Sequence, residues 1–221
     1  MRNRLIAGLL VISVASGFAL FGNSFFAASK ATSTVPYKQL NRANLPLSPH
    51  RDFISQGDAK SLAERKLAPW GTNSLLKVPA VMRHGDFVWN EQRIAKGHIY
   101  IWVDLRRQMI SAFRNGHEIG TAVIIYGAED YSSPEGRFPI LNKHRHYHSR
   151  TYDAPMPASL FITNDGVALH GSEMSSRRAS HGCIGLPVAF AEQLFDAAKV
   201  GDVVEITRSQ KDPREPLRLK G

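Results

Sequence analysis

From residue 97 onward the chain alternates. Ile99, Ile101 and Val103 are interleaved with Tyr100 and Trp102, the two-residue period of a strand. Two further runs, Met109 to Arg114 and Ile119 to Tyr126, flank Asn115-Gly116. Asn-Gly between strand-like runs predicts a tight hairpin, because both turn positions need positive φ. A second hairpin is predicted where Ser159 to Thr163 meets Val167 to His170 across Asn164-Asp165-Gly166. Helical period comes late. Phe190, Leu194 and Ala198 share a face, Pro187 suits a first-turn position, and Gly201 suits the C-terminal cap. Val203 to Ile206 reads as a closing strand. The fold class is mainly β, with one clear α-helix.

The flanks carry less pattern. Residues 30 to about 57 hold Pro36, Pro46 and Pro49 among polar residues without an apolar period, and read as a linker. Residues 58 to 68 predict a short helix ended before Pro69, and the run Val78 to Val88 receives no assignment. The tail from Arg208 sets five Lys or Arg against two acids and is expected to fray. The chain divides into 1–29, a linker and short N-terminal extension at 30–96, a domain at 97–207, and a basic tail at 208–221.

The first 29 residues have a character of their own. Arg2 and Arg4 precede an uncharged run from Leu5 to Phe21, with small residues at Ala27, Ala28 and Ser29. A basic start, an apolar centre and a small-x-small site are the parts of an export signal. The same run can instead act as an uncut anchor, since about 20 apolar residues span a bilayer. Either way the rest of the chain is expected outside the cytoplasm, in the periplasm or cell envelope, touching membrane only through this segment.

Charge and cysteine usage sharpen that expectation. The formal charge is +9, which favours an acidic or polyanionic partner. Export makes nucleic acid an unsuitable one and the envelope surface a suitable one. Exported proteins keep disulfides in pairs, yet this chain has one cysteine, Cys183, so no internal bridge can form. An inert buried cysteine is one explanation. A thiol that does chemistry is the other.

The surrounding residues favour chemistry. His170 ends a predicted strand, and Ser180-His181-Gly182-Cys183 lies a few residues before the helix. A free thiol is only about 3% thiolate at pH 7, so a neighbouring imidazole gains more than tenfold in nucleophile. A helix start close to Cys183 is expected to lower its pKa through the partial positive charge there. Gly182 allows backbone amides to approach an oxyanion.

Leu169-His170-Gly171 followed by Ser180-His181-Gly182-Cys183 resembles the catalytic signature of the L,D-transpeptidases, the YkuD-like domain. The resemblance spans residues 97–207. It includes Ser133-Pro134-Glu135-Gly136, the Met156-Pro157 step before Phe161, and Gly201-Asp202-Val203-Val204. It implies a β-rich sandwich or mixed sheet and no cofactor. It also implies a reaction on peptidoglycan stem peptides: Cys183 attacks the carbonyl of the third stem residue and expels D-alanine, leaving a thioester. His170 is the implied base, oriented by the carbonyl of Gly171. Amides around His181, Gly182 and Cys183 form the oxyanion hole, and Ser180 supports the loop. The thioester then passes to an amine, forming a 3–3 cross-link or attaching another molecule such as an envelope protein. Water in place of the amine gives a carboxypeptidase. The resemblance also implies acylation by carbapenems.

One position departs from the pattern. The family commonly carries Arg or Asn two residues after the cysteine, where this chain has Gly185. Arg177, Arg178 and Met156 are the candidate substrate contacts, and Gly185→Arg is the change expected to speed acylation. Two readings from other classes stay open. His144, His146 and His148 alternate, so on a strand they share a face and with His170 or His181 reach the ligand count of a zinc site. Lys143, Arg145 and Arg150 argue instead for a solvated basic loop, and no metal is expected. A non-catalytic peptidoglycan-binding protein with a buried Cys183 is the other reading.

Overall fold

Asn115 and Gly116 adopt φ of 52° and 77°, so the hairpin predicted at this dipeptide forms with both residues left-handed. The computed structural model describes residues 50–127, 132–174 and 182–211. In chain order its elements are β1 (Arg51–Phe53), α1 (Gln56–Glu64), β2 (Ser74–Leu76), β3 (Phe87–Trp89), β4 (Ile99–Asp104), β5 (Met109–Arg114) and β6 (His117–Val123). These are followed by β7 (Gly136–Pro139), β8 (Asn142–Ser149), β9 (Ala154–Phe161), β10 (Ala168–Ser172), β11 (Ile184–Pro187), α2 (Val188–Ala197) and β12 (Val203–Thr207). Strand accounts for 42% of the described residues and helix for 13%, so the mainly β class holds.

Two sheets carry the architecture. The larger runs β1-β2-β6-β5-β4-β12-β7, with β3 also pairing β6; the smaller runs β11-β10-β9-β8. The closing strand β12 pairs parallel to β4, Val204 opposite Ile101. A backbone bridge between Ile125 and Gly185 links the sheets, Gly185 N–H donating to Ile125 O at 2.8 Å and Ile125 N–H to Gly185 O at 3.0 Å. Helix α2 supplies the wedge. Phe190 and Leu194 are fully buried, and the Phe190 ring stands edge-on to Phe87 and Trp89 at centroid distances of 5.9 and 5.5 Å. Burying side chains of this size contributes about 1.5–3 kcal/mol each before entropy is charged against it.

Several expectations change. The segment read as linker and extension contributes β1, β2, β3 and α1, whose N-cap is Ser55 accepting from Asp58 N–H. Arg51 is 2% exposed, donating to Ser74 Oγ at 3.1 Å and Asn90 O at 2.9 Å, so the chain is pinned here and cannot be a free linker. Three-residue strands are too short to show a period. Pro187 ends β11 as the residue before α2, and the helix stops at Ala198 in extended backbone. Gly201 is not its cap: with φ of 91° it turns the chain into β12, donating to Ile140 O at 2.9 Å. The tail docks at its start, since Ser209 is buried and its N–H donates to Asp104 Oδ1 at 3.1 Å. Residues 1–49, where an export signal is expected, and residues 212–221 lie outside the described residues.

The seam between β6 and β3 tolerates no side chain at Gly120. A Cβ there would lie 2.1 Å from Trp89 Cε3 and 2.4 Å from Cζ3, against a ring already packed on Phe190. Gly120→Ala is expected to cost on the order of 1–3 kcal/mol in unfolding free energy, measured by urea denaturation. An unchanged midpoint would mean that Trp89 is free to move.

Candidate active site

Parallel pairing of β10 and β11 assembles the site. Leu169 lies opposite Ile184, His170 opposite Gly185 and Gly171 opposite Leu186. Continued by one residue, this register sets Cys183 beside Ala168, whose amide N–H hydrogen-bonds the thiol. Positions 168, 170 and 172 share one face of a strand, as do 183 and 185. Cys183 itself precedes β11, and a pleat continued through it would make His170 and Cys183 diagonal neighbours, roughly 8 Å apart at Cα from strand spacing and rise. Two side chains of these lengths can bridge that separation.

The imidazole is fixed in one tautomer. His170 Nδ1 lies 2.9 Å from Gly171 O, and a carbonyl can only accept, so Nδ1 carries the proton and Nε2 keeps its lone pair. Gly171 is needed for that close approach: a Cβ there would lie 3.0 Å from Pro157 Cγ and 3.3 Å from Val188 Cα. Burial pushes the pKa of His170 below the ordinary histidine value, with the Gly171 carbonyl working in the opposite direction. At neutral pH the ring is an uncharged base.

The thiol departs from expectation. Its pKa is raised, first by burial and further by the charge of Asp165, while the Ala168 amide works against both. The helix start expected to lower it lies beyond β11, since α2 begins only at Val188, and a helix terminus acts only over its first turn. Cys183 also donates to Gly166 O at 3.8 Å, a long sulfur contact from the β9–β10 turn. Gly182 is buried with φ of 91°, a conformation that a residue with a Cβ adopts only under strain.

Gly185 has a physical occupant above it. A Cβ at this position would lie 2.5 Å from Ile125 Cγ1 and 3.2 Å from Ser172 Cβ. Ile125 fills the space that a longer side chain would need, so the expected benefit of Gly185→Arg does not hold. Met156, expected among the substrate contacts, is 7% exposed in β9 opposite Tyr147, and its carbonyl accepts from Ser159 Oγ at 2.7 Å. Arg177, Arg178, Ser180 and His181 lie outside the described residues.

The alternating histidines belong to a strand, β8, and not to a loop. His144 packs against Tyr147 and Phe161, centroids 5.7 and 5.8 Å away, and His148 Nε2 lies 2.8 Å from Asp153 Oδ1. Lys143 donates to the carbonyls of Phe195 and Ala198 and Arg145 pairs with Glu192 and Asp196, so these cations are spent on the C-terminal end of α2, where positive charge is favoured. Among the described residues no group of three His, Cys, Asp or Glu is arranged to hold a metal ion.

Residues 98–206 match the YkuD family, the L,D-transpeptidase catalytic domain. This stretch belongs to that family. No curated protein matches the chain. Solved structures of L,D-transpeptidases do. One from Stackebrandtia nassauensis is 24% identical over 52% of this chain and 58% of its own, with a TM-score of 0.48. One from Mycobacterium smegmatis is 21% identical over 50% and 58%, at 0.46. One from Enterococcus faecium is 25% identical over 51% and 50%, also at 0.46. The chain therefore spans between half and three-fifths of the length of these proteins.

Two measurements probe the site around Cys183 directly. With a raised thiol pKa and a neutral imidazole, the iodoacetamide labelling rate of Cys183 should climb steadily from pH 6 to 9. A rate already level at pH 6 would indicate a thiolate–imidazolium pair and overturn this electrostatic reading. Gly185→Arg should lower the melting temperature, by an overpacking cost on the order of 1–3 kcal/mol, with Ile125→Ala in the same chain recovering part of it. A wild-type melt for the single variant would show that Ile125 does not fill the position.

Proposed function

We propose that the protein is an exported cysteine L,D-transpeptidase acting on the tetrapeptide stems of peptidoglycan. The observation that carries this reading is the His170 tautomer: Nδ1 is committed to Gly171 O, leaving Nε2 unprotonated on the strand beside β11, which Cys183 immediately precedes. That arrangement, inside a stretch belonging to the L,D-transpeptidase family, supports nucleophilic catalysis by the thiol.

The chemistry follows from those two groups. Nε2 of His170 takes the thiol proton as Sγ of Cys183 attacks the carbonyl of the third stem residue. Negative charge develops on that carbonyl oxygen, and the backbone at Gly182–Cys183 is the part of the site suited to receive it. The imidazolium returns its proton to the departing D-alanine amine, leaving a thioester on Cys183. An acceptor amine then attacks the thioester, His170 takes its proton, and that proton goes back to the thiol as the new amide leaves. A stem-peptide amine gives a 3–3 cross-link, an envelope protein gives an attachment, and water gives a shortened stem.

Incubation with a disaccharide-tetrapeptide, read by mass, tests the assignment. Loss of alanine with dimer formation is expected, and loss with addition of water alone would make the protein a carboxypeptidase. Cys183→Ala should abolish turnover, and His170→Ala should lower the acylation rate on the order of 10²-fold or more. Turnover by Cys183→Ala would remove the nucleophile assignment, and normal acylation by His170→Ala would remove the base.

A further inference from the structure

A second binding site sits where the starts of β4 and β12 meet the β5–β6 turn. A groove of about 590 Å³ opens there, bounded by Trp70, His98, Tyr100, Asn115, Arg137 and Asp202, and it shares no residue with the surroundings of Cys183. Trp70 is 64% exposed, whereas Trp89 and Trp102 are each 7% exposed.

The indole is held out deliberately by its backbone. Gly71 is left-handed at φ of 77°, and Thr72 Oγ1 donates to Pro69 O at 2.7 Å. Asn73 N–H donates to Gly116 O at 2.7 Å, and Asn73 Nδ2 donates to Asn115 O at 3.0 Å. The Trp70 loop and the hairpin turn are packed so closely that a Cβ on Gly116 would lie 2.4 Å from Gly71 O. A large aromatic surface fixed in water by a locked loop loses little entropy when a ligand covers it.

Charge then selects the ligand. The chain carries +9, yet in this groove the Arg137 guanidinium and the His98 imidazole each face a carboxylate. His98 Nδ1 lies 2.7 Å from Asp202 Oδ1, and Arg137 Nε donates to Glu205 Oε2 at 2.6 Å. The Tyr100 hydroxyl donates to that same carboxylate oxygen. A polyanion finds no uncompensated positive charge here, and a purely apolar segment would desolvate these fixed polar groups. A pyranose chain meets both conditions, laying its C–H face on the indole and exchanging hydrogen bonds between its hydroxyls and the paired side chains.

We propose that this groove binds an uncharged oligosaccharide, with Trp70 as the stacking platform. Its identification with the glycan strand that carries the stem peptides rests on the transpeptidase reading, whereas saccharide binding does not. Acrylamide quenching of tryptophan fluorescence in the full chain, titrated with a β-1,4-linked N-acetylglucosamine tetramer, tests it. Trp70 should be quenched freely at first and protected saturably as tetramer is added. By calorimetry Trp70→Ala should bind the tetramer at least about tenfold more weakly, and Trp70→Phe should keep part of the affinity. Both variants should keep the wild-type melt and Cys183 labelling rate. Four results would each overturn the proposal: no protection at millimolar tetramer, equal binding by Trp70→Ala, an indole already shielded before sugar is added, or tighter binding of a sulfated tetramer than of the neutral one. Failure here with alanine release intact would leave the transpeptidase reading standing.

Discussion

The parallel register of β10 against β11 is the constraint on which the rest of the site depends. It sets His170 opposite Gly185 and so fixes the distance from the base to Cys183, which enters β11 from the adjoining residue. Parallel neighbours cannot be joined by a tight turn; they need a crossover of about a dozen residues. The connection between Ser172 and Ile184 has that length, and it is the stretch that carries Arg177, Arg178, Ser180 and His181. Strand geometry therefore explains why the signature has two parts separated by a polar loop. A one-residue slip would turn His170 to the opposite face from Cys183 and uncouple them.

What resists that slip is packing on both sides of the pair. Leu169, Ile184 and Leu186 are almost fully buried on the face towards the core, with Phe190 and Leu194 of α2 in the same cluster. At Gly185 the backbone bridge to Ile125 ties the small sheet to the large one. Glycine there serves two ends, since the bridge needs close backbone approach and Ile125 then lies over the bare Cα. In relatives with a longer residue at this position a polar group would stand beside the base. Here the apolar Ile125 occupies that space instead.

Local signals made much of this legible. Asn115-Gly116 announced one hairpin and Asn164-Asp165-Gly166 the other, because each turn is fixed by its own residues. The closeness of the two halves of the motif was legible because Leu169-His170-Gly171 pairs with the strand that Cys183 immediately precedes. Features governed by tertiary contact were not legible. Strands β1, β2 and β3 are three residues each: β2 and β3 owe their existence to β6, and β1 to β2 and to the buried Arg51. The thiol pKa was misjudged because proximity to a helix in sequence is not proximity to its N-terminal amides; β11 intervenes, and burial sets the direction. The cations among the β8 histidines read as solvated, whereas the pleat sends Lys143 and Arg145 to the end of α2. Trp70 gave no signal at all, since a lone tryptophan in a Pro-Gly loop is indistinguishable in sequence from a core residue.

The two pKa shifts fit together as a protective arrangement. The thiolate is the form that oxidants attack, and a chain with a single cysteine cannot shelter it in an internal disulfide. A thiol held protonated by burial and by Asp165 is poorly reactive while the site is empty. His170, kept neutral by its own burial, cannot stabilise a thiolate as an imidazolium would. On the proposed mechanism, proton transfer from Cys183 to His170 would become favourable only as charge moves onto the substrate carbonyl, where backbone donors would receive it. The same burial that weakens the resting nucleophile thus confines its activation to the transition state, which is where an interaction must act to raise the rate. A permanently ionised pair would hold more thiolate at rest and expose it to oxidation; a neutral pair exchanges some resting reactivity for resistance to it.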